Sequence, residues 1–219
     1  MRTQEEIVRK INDLLAKCDG KTTLVSAALI WVLDMSKTAQ WLDWLDDYYI
    51  MYAGHAEFDF RLPIFLEWMG EGKRVLDCGV HTGIMTNEFA KKNDVVGFDL
   101  PKVVQKFKYG YDFESLAMSV EEKWLFDDAS FDVVVAGEFL HHLRNPGFFV
   151  SEAFRVLRCG GLLMLSCPYK QDVITNIHFV HVIDEEFLKS VFQDYFTIKE
   201  IRKPEGTGAI LVLAVVNKT

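Results

Sequence analysis

The fold is decided by the nine residues Val75-Leu76-Asp77-Cys78-Gly79-Val80-His81-Thr82-Gly83. They form a short apolar run that passes into a glycine-containing loop, and a segment with helical spacing follows at 84–92. Gly79 allows a sharp turn of the backbone, and Gly83 allows the helix to pack close to the strand. A strand, a loop and a helix in this order are typical of the first unit of an open α/β sheet. The N–H groups at the start of such a helix face a ligand crevice.

After this unit the sequence alternates between apolar runs and helical spacing. Strands are predicted at 73–79, 94–99, 115–120, 131–137 and 160–168, and helices at 101–107, 146–157 and 184–192. Two more strands, 196–201 and 209–216, are joined by a turn-rich loop and must therefore pair antiparallel. We expect an α/β fold with a Rossmann-like, doubly wound sheet, mostly parallel with a C-terminal antiparallel hairpin, plus N-terminal helices.

The N-terminal third differs in pattern. Residues 1–70 have helical spacing without a strand pattern, and they are predicted to form an N-terminal helical cap or lid segment, with the ligand-binding domain at 71–219. One predicted helix carries a set of aromatic side chains, namely Trp41, Trp44, Tyr48, Tyr49 and Tyr52. Two interpretations stay open for this set: a lid that excludes water from an apolar substrate pocket, or plain packing of the helix on the core.

Composition limits the classes of partner. The formal net charge is −8 and Lys and Arg are not clustered beyond pairs, whereas a nucleic-acid-binding surface needs a basic stripe. The four cysteines form no C-x-x-C pair, so neither a zinc knot nor a redox motif is predicted. The N-terminus lacks the apolar stretch of a signal peptide. The longest apolar run, 24–33, is far shorter than the ~20 residues of a membrane span. We therefore expect a cytoplasmic protein with no membrane span and no nucleic-acid substrate.

The loop favours a nucleoside that carries an amino acid over a dinucleotide. A dinucleotide loop has the pattern G-x-G-x-x-G, but here two glycines lie four positions apart with His81 between them. Asp77 would repel a pyrophosphate, whereas its charge suits the ammonium of an amino-acid tail. Asp99 ends the second strand, 22 positions after Asp77, where a carboxylate can accept hydrogen bonds from both ribose hydroxyls. The alternative for Asp99 is a helix N-cap before Pro101.

Residues 73–217 resemble the class I S-adenosylmethionine-dependent methyltransferases. The segments VLDCGVHTG (75–83) and VVGFDL (95–100) are similar to the family's first and second motifs. DDASFDVVVAGEFLHHLRNP (127–146) and FRVLRCGGLLMLSCP (154–168) are similar to its strand-four and strand-five segments. The resemblance implies S-adenosylmethionine as the cofactor, S-adenosylhomocysteine as the product, and no metal. It implies cofactor contacts at Asp77, Cys78, Gly79, His81, Gly83, Asp99, Leu100, Ser119, Val120, Glu121 and Gly137.

The chain departs from the family pattern at two places that concern the cofactor. His81 replaces the usual middle glycine and is expected to crowd the cofactor's tail. The acidic residue often found near the adenine falls on Ser119 or Val120, and Glu121 is one step further along the chain.

The strand-four segment resembles the branch of the family that methylates small molecules. In that branch a histidine just after strand four takes the acceptor's proton; His141 aligns with it, and His142 beside it is the second choice. The alternative for this pair is structural, with one histidine capping a helix and the other exposed. His178 and His181 are not predicted to bind a metal, because no nearby carboxylate or thiol completes a site.

The predicted activity is methyl transfer to an O, N or C nucleophile of a small-molecule acceptor. The alternative is a binding or regulatory module that keeps the fold but has lost turnover. A nicotinamide dehydrogenase is disfavoured by the glycine loop and by the terminal hairpin. The oligomeric state is left open, with a homodimer as one option.

Overall fold

The structure is a computed structural model in which residues 60–101, 103–104, 113–170 and 180–217 are described. The helices predicted within 1–59, including the aromatic set from Trp41 to Tyr52, lie outside the described residues. So do His178 and the end of the helix predicted at 101–107.

A seven-stranded sheet forms the centre of the fold. Its strands are β1 (Arg74–Cys78), β2 (Asp94–Asp99), β3 (Glu114–Ala117), β4 (Phe131–Gly137), β5 (Leu157–Pro168), β6 (Phe196–Arg202) and β7 (Ala209–Val216). Their order across the sheet is β3-β2-β1-β4-β5-β7-β6. The first five strands are parallel, and β7 pairs antiparallel with both β5 and β6. The predicted mostly parallel sheet with a terminal antiparallel hairpin is confirmed.

Strand β3 is shorter than the prediction of 115–120. The Met118 N–H still donates to the Asp99 carbonyl, over 2.9 Å, but the chain then turns. The Ser119 hydroxyl accepts a hydrogen bond from the Glu121 N–H over 3.2 Å, a local contact that competes with the strand ladder. Residues 118–120 therefore belong to the loop at the carboxyl end of β3.

Four α-helices and one 3₁₀ helix with described bounds surround the sheet, in addition to a helical segment that begins at residue 101. They are α1 (Arg61–Met69), α2 (Ile84–Ala90), the 3₁₀ helix Leu140–His142, α3 (Pro146–Val156) and α4 (Glu185–Phe192). The start of α3 is set by Asn145, whose side chain accepts a hydrogen bond from the Phe148 N–H, and by Pro146 in the first turn. Asp184 caps α4 in the same way through the Phe187 N–H.

The helices cover both faces of the sheet. Val133 and Val135 of β4 pack in one cluster with α1 and α2, whereas Val134 and Ala136 pack in a second cluster with α3 and α4. This alternation follows from the two-residue period of a strand. Among the described residues, no helix is long and apolar enough to cross a membrane.

Helix α1 lies before the predicted domain boundary at residue 70, but it packs on the sheet. Leu62, Phe65 and Met69 are buried in the same cluster as Val135. The Arg202 guanidinium at the end of β6 also pairs with the Glu67 carboxylate through two contacts of 2.8 and 2.7 Å. Helix α1 therefore packs directly on the sheet of the predicted 71–219 domain.

The strand order places a crevice at the carboxyl ends of β1 and β4. The chain leaves β1 towards β2 and β3 on one side, whereas β4 and β5 continue the sheet on the other side. The connections at such a switch point diverge, and ligands bind there in open α/β sheets. Because β7 runs antiparallel to β5, the β6–β7 loop lies at the same edge of the sheet.

Candidate cofactor and active site

The loop between β1 and α2 forms the floor of the crevice. Gly79 and Gly83 have left-handed φ angles of 82° and 77°, which glycine adopts without steric cost. A Cβ atom on Gly79 would also lie 3.1 Å from the Phe139 ring. Gly79 therefore allows both the turn of the backbone and the close approach of Phe139, which follows β4.

His81 has the same left-handed backbone with φ of 50°, although it carries a side chain. This conformation costs a non-glycine residue roughly 1–2 kcal/mol. The His81 N–H donates a 2.8 Å hydrogen bond to the Asp99 carboxylate, which offsets part of that cost. The histidine thus keeps the backbone shape that a glycine would have at this position.

Asp99 lies at the carboxyl end of β2 and holds the loop. One of its carboxylate oxygens accepts from the His81 N–H, and the other accepts from the Leu100 N–H over 2.7 Å. Burial raises the pKa of Asp99 to about 6, although these two hydrogen bonds act in the opposite direction. Each oxygen has a second lone pair that can accept from a ligand hydroxyl. The two printed bonds thus join Asp99 to backbone N–H groups of the β1–α2 loop and of Leu100.

Asp77 in β1 is a second buried carboxyl group beside the loop. Its side chain accepts a 2.7 Å hydrogen bond from the Thr86 hydroxyl of α2, and the residue is only 6% exposed. Burial raises the pKa of Asp77 to about 6; the nearby Asp99 acts in the same direction, and the Thr86 hydrogen bond and Arg61 oppose it. A buried carboxyl group on β1 and a half-buried one on the neighbouring strand β2 therefore lie beside the β1–α2 loop.

Three residues at or near the crevice were not among the sequence candidates: Arg61, Val80 and Gly97. The Arg61 guanidinium, from the first turn of α1, lies near Gly137, where a Cβ atom would be 3.4 Å from Arg61 Nη1. A Cβ atom on Gly97 would stand 2.4 Å from Val80 Cγ2, so Val80 packs on bare backbone of β2. The glycine inside a predicted strand was a signal for Gly97, but no local pattern marked Arg61.

The candidates for the adenine end lie in the loop after β3. The exposed Glu121 carboxylate accepts a 2.8 Å hydrogen bond from the Arg144 N–H, so it ties this loop to the segment that follows β4. The Val120 carbonyl accepts from the Trp124 indole over 3.2 Å. Cys78 differs from the other candidates because its side chain is fully buried on the α3 side of the sheet, and burial raises the pKa of its thiol. Only the backbone of Cys78 is therefore available to a ligand.

The histidine pair lies in the 3₁₀ helix after β4, and its two members differ. His141 is 2% exposed, and burial lowers its pKa to about 2, with His142 acting in the same direction. His142 is half-buried, and the two ring centres are 3.9 Å apart. The His141 carbonyl accepts hydrogen bonds from the Val180 and His181 N–H groups, over 2.8 and 3.3 Å.

His181 also contacts the segment that carries the pair. Its Nε2 lies 3.0 Å from the Leu143 carbonyl, so this nitrogen carries the proton of the hydrogen bond. Within the described ranges no group of three His, Cys, Asp or Glu side chains is placed to hold a metal ion.

Comparison with known sequences identifies a family for the central part of the chain. Residues 76–165 match the profile of the methyltransferase domain. A ubiquinone biosynthesis O-methyltransferase of Bordetella avium is 31% identical over 117 residues, which cover 48% of this chain and 48% of that protein. A protein of the same name from Pseudomonas fluorescens SBW25 is 29% identical over 67% of this chain and 68% of its own length. The matched part thus spans from about half to two thirds of these curated relatives.

Solved structures show the same fold. The 1,6-didemethyltoxoflavin-N1-methyltransferase of Burkholderia thailandensis, solved with its substrate and S-adenosylhomocysteine, superposes with a TM-score of 0.65. The match has 19% identity and covers 82% of this chain and 87% of that one. The fold is that of a Rossmann-like domain with a crevice at the carboxyl ends of β1 and β4. The methyltransferase-domain match over 76–165 and the similarity to these relatives support a class I S-adenosylmethionine-dependent methyltransferase.

Proposed function

We propose that this protein transfers the methyl group of S-adenosylmethionine to an oxygen nucleophile of a small, partly apolar molecule. The observation that carries the proposal is the pair of carboxyl groups on either side of the Gly79–Gly83 loop, of which Asp77 is buried and Asp99 is half-buried. Burial raises the pKa values of both groups to about 6. At neutral pH the ligand-free protein therefore keeps both carboxylates ionised, although burial disfavours their charged forms. A ligand with an ammonium and a sulfonium offsets this effect of burial, because a nearby positive charge favours the ionised carboxylate.

The loop geometry supports binding of the cofactor despite the missing middle glycine. The His81 backbone keeps the left-handed conformation, and its N–H is already bonded to Asp99. In this assignment the spare lone pairs of Asp99 accept from the ribose hydroxyls, and Asp77 lies near the ammonium of the amino-acid tail. Ser119, Val120 and Glu121, at the end of β3, border the adenine.

For the acceptor's proton we favour His142 over His141, which reverses the order expected from alignment. A base must hold a proton near neutral pH, and an imidazole with a pKa of about 2 is too weak a base. His142 is half-buried and stands one residue further along the same turn. We assign His141 a supporting role, since its carbonyl receives the 180–181 segment.

The preference for oxygen rests on the relatives, whose printed names are O-methyltransferases. Methyl transfer is an in-line displacement, so the protein mainly has to align the nucleophile, the methyl carbon and the sulfur. A hydroxyl acceptor also needs a base, and the histidine pair supplies one at the carboxyl end of β4. The alternative is a module that binds the cofactor without turnover, and the weak basicity of the buried His141 favours it.

The test combines cofactor binding with turnover. Calorimetric titration with S-adenosylhomocysteine should give micromolar binding, and Asp99→Asn should weaken it by roughly tenfold or more, about 1.4 kcal/mol. Asp94→Asn is the matched control, because Asp94 is an exposed aspartate at the opposite end of β2. Release of S-adenosylhomocysteine from S-adenosylmethionine is then followed with a panel of phenols, catechols and aromatic amines.

Each outcome has one meaning. Binding together with turnover of a phenol or catechol supports the proposal, and turnover of amines alone replaces oxygen with nitrogen as the nucleophile. Binding without turnover across the panel makes the binding module the better assignment. If the wild-type protein binds neither form of the cofactor, both assignments fail.

A further inference from the structure

An ion pair near the C-terminal end of α3 is largely withdrawn from solvent. The Arg155 guanidinium donates to the Glu152 carboxylate through two contacts of 2.8 Å, one from Nε and one from Nη2. Glu152 is only 7% exposed, and burying a charge is costly even when the charge is paired. Apolar side chains of similar size often stabilise such a position as well or better. Overall stability therefore does not explain why an ion pair stands here.

The pair holds the loop between β3 and β4 by its backbone. The Glu152 carboxylate accepts a 2.8 Å hydrogen bond from the Trp124 N–H, and the Arg155 guanidinium donates to the Trp124 carbonyl over 3.1 Å. The same guanidinium donates to the Phe126 carbonyl over 2.7 Å and to the Asp128 carboxylate over 2.8 Å. Both backbone polar groups of Trp124 are thus bonded to the ion pair, so the pair fixes where this residue lies.

Trp124 connects this position to the end of β2 and to the segment after β3. The residue is 1% exposed, and its ring centre lies 5.3 Å from that of Phe98, the residue before Asp99 in β2. The indole Nε1 donates to the Val120 carbonyl over 3.2 Å. The indole is therefore a link between α3 and the backbone of the 119–121 segment, which we assign to the adenine.

We propose that the Glu152–Arg155 pair positions the binding site of the cofactor's base, and that it acts through Trp124 on the 119–121 segment. The inference rests on the proposed function, because that function places the adenine beside this segment. A base is recognised by hydrogen-bonding groups at fixed places, and a site of this kind rejects an analogue whose donors and acceptors differ. A segment that could shift would accept both patterns. The ion pair thus sets the specificity for adenine without touching it.

The experiment uses two ligands that differ only in the base. S-adenosylhomocysteine carries an amino group on the purine ring, whereas S-inosylhomocysteine carries a carbonyl oxygen at the same position. Both are titrated calorimetrically into the wild-type protein, Arg155→Lys and Arg158→Lys. Arg158 is the matched control, because its guanidinium pairs with the Asp132 carboxylate over 2.7 Å at the amino end of β4. This is the opposite edge of the sheet from the 119–121 segment.

The measured quantity is the preference for adenine, which is the ratio of the two affinities. Arg155→Lys keeps the positive charge but loses the planar fork that bonds Glu152 and the Trp124 carbonyl together. We expect the wild-type protein to prefer S-adenosylhomocysteine and Arg155→Lys to reduce this preference roughly tenfold, whereas Arg158→Lys leaves it unchanged. Partial unfolding does not alter the ratio, because loss of folded protein lowers both apparent affinities by the same factor.

A second variant tests the route through the indole. Trp124→Phe keeps an aromatic ring but removes the donor to the Val120 carbonyl, so it should also reduce the preference for adenine. If the two changes act on one route, the double variant should lose less than the product of the two single losses. Single losses that simply multiply would overturn the inference, because the pair would then act independently of Trp124.

Three other results would also overturn it. Arg155→Lys could weaken both ligands by the same factor, which would show that the pair supports only the fold, or it could weaken neither. The wild-type protein could bind the two ligands equally, which would show that the 119–121 segment does not select the base. Absence of binding of either ligand to the wild-type protein is a separate outcome, since it overturns the proposed function as well.

Discussion

The two ends of the crevice are built in different ways. At the β1–β2 end, Asp77 is held by Thr86 nine positions away, and Asp99 by His81 eighteen positions away. At the β4 end, the turn that carries the histidine pair is held by His181, 38 positions from its partner Leu143. The first end is therefore complete within one strand–loop–helix–strand segment, whereas the second exists only once distant parts of the chain have assembled.

Burial also shifts pKa values in opposite directions at the two ends of the crevice. It raises the pKa values of Asp77 and Asp99, because it disfavours their charged forms, and for the same reason it lowers the pKa of His141. Acidification therefore favours the folded state at one end and disfavours it at the other. Three changes test this contrast, in order of decreasing effect.

The largest effect is expected where the β1–β2 end is closest packed. In Gly97→Ala the new methyl group would stand 2.4 Å from Val80 Cγ2, so β2 or the loop must move. Overpacking of this kind costs about 1–3 kcal/mol of unfolding free energy, measurable by urea denaturation. Affinity for S-adenosylhomocysteine should fall as well, because Val80 lies in the β1–α2 loop, where we propose that the cofactor binds.

Gly147→Ala provides the comparison for this variant. Its nearest neighbour would be at 3.5 Å, and it lies in the first turn of α3. Alanine favours a helix over glycine, so stability should be unchanged or slightly higher. Equal losses in the two variants would contradict the packing argument.

The second effect concerns the β4 end and depends on pH. In the unfolded chain His141 takes a proton below its usual pKa of 6.5, but in the folded protein it does so only near pH 2. Stability should therefore fall as the pH drops below 6.5, by about 1.4 kcal/mol for each pH unit, or roughly 2 kcal/mol at pH 5.

His141→Gln removes the titration but keeps a polar side chain. Denaturation of the wild type and the variant at pH 7 and pH 5 isolates the histidine, because the other groups are common to both. The difference in stability between the two proteins should shift in favour of the variant at pH 5. A difference that does not change with pH would show that His141 ionises in the folded protein.

The third effect is a change in cofactor affinity that depends on the carboxyl groups at the β1–β2 end. The folded pKa values of Asp77 and Asp99 lie above the unfolded value of 3.8. Their contribution to the stability of the ligand-free protein is therefore full below pH 3.8 and is lost as the pH rises through about 6. A cofactor that needs the ionised forms should bind more weakly at pH 5 than at pH 7.5, by roughly tenfold for each carboxyl group.

Titration with S-adenosylhomocysteine at the two pH values measures this effect. Asp99→Asn should retain only the part of the pH dependence that Asp77 contributes. An affinity that is the same at pH 5 and pH 7.5 would mean that the cofactor does not depend on these charges.

Much of the sheet could be predicted from sequence because its strands are fully buried apolar runs. Strands β2 and β4 match their predicted bounds of 94–99 and 131–137. In α3, Phe149, Val150, Ala153 and Val156 follow the helical spacing of a buried face, and all four are buried. Strand β3 was predicted too long, because Ser119 starts a turn that the apolar pattern of 115–120 did not reveal.

The candidate site likewise has residues whose positions the sequence predicted and residues whose positions it did not. The spacing of Asp77, Gly79, Gly83 and Asp99 placed four residues at the carboxyl ends of β1 and β2, since a strand–loop–helix unit fixes such positions locally. The burial of His141 could not be predicted, because it depends on contacts with residues 180–181. The approach of the Arg61 guanidinium to Gly137 was also beyond prediction, since these residues lie 76 positions apart in the sequence.

The sequence by itself determined the order of strands and helices, the antiparallel end of the sheet and the two carboxylates beside the glycine loop. Each of these depends on residues that are neighbours along the chain. Only the tertiary structure decided which histidine is buried, that α1 packs on the sheet, and that the Arg61 guanidinium lies beside Gly137. Burial and the resulting pKa values depend on everything that packs around a group, and most of those neighbours come from distant parts of the chain.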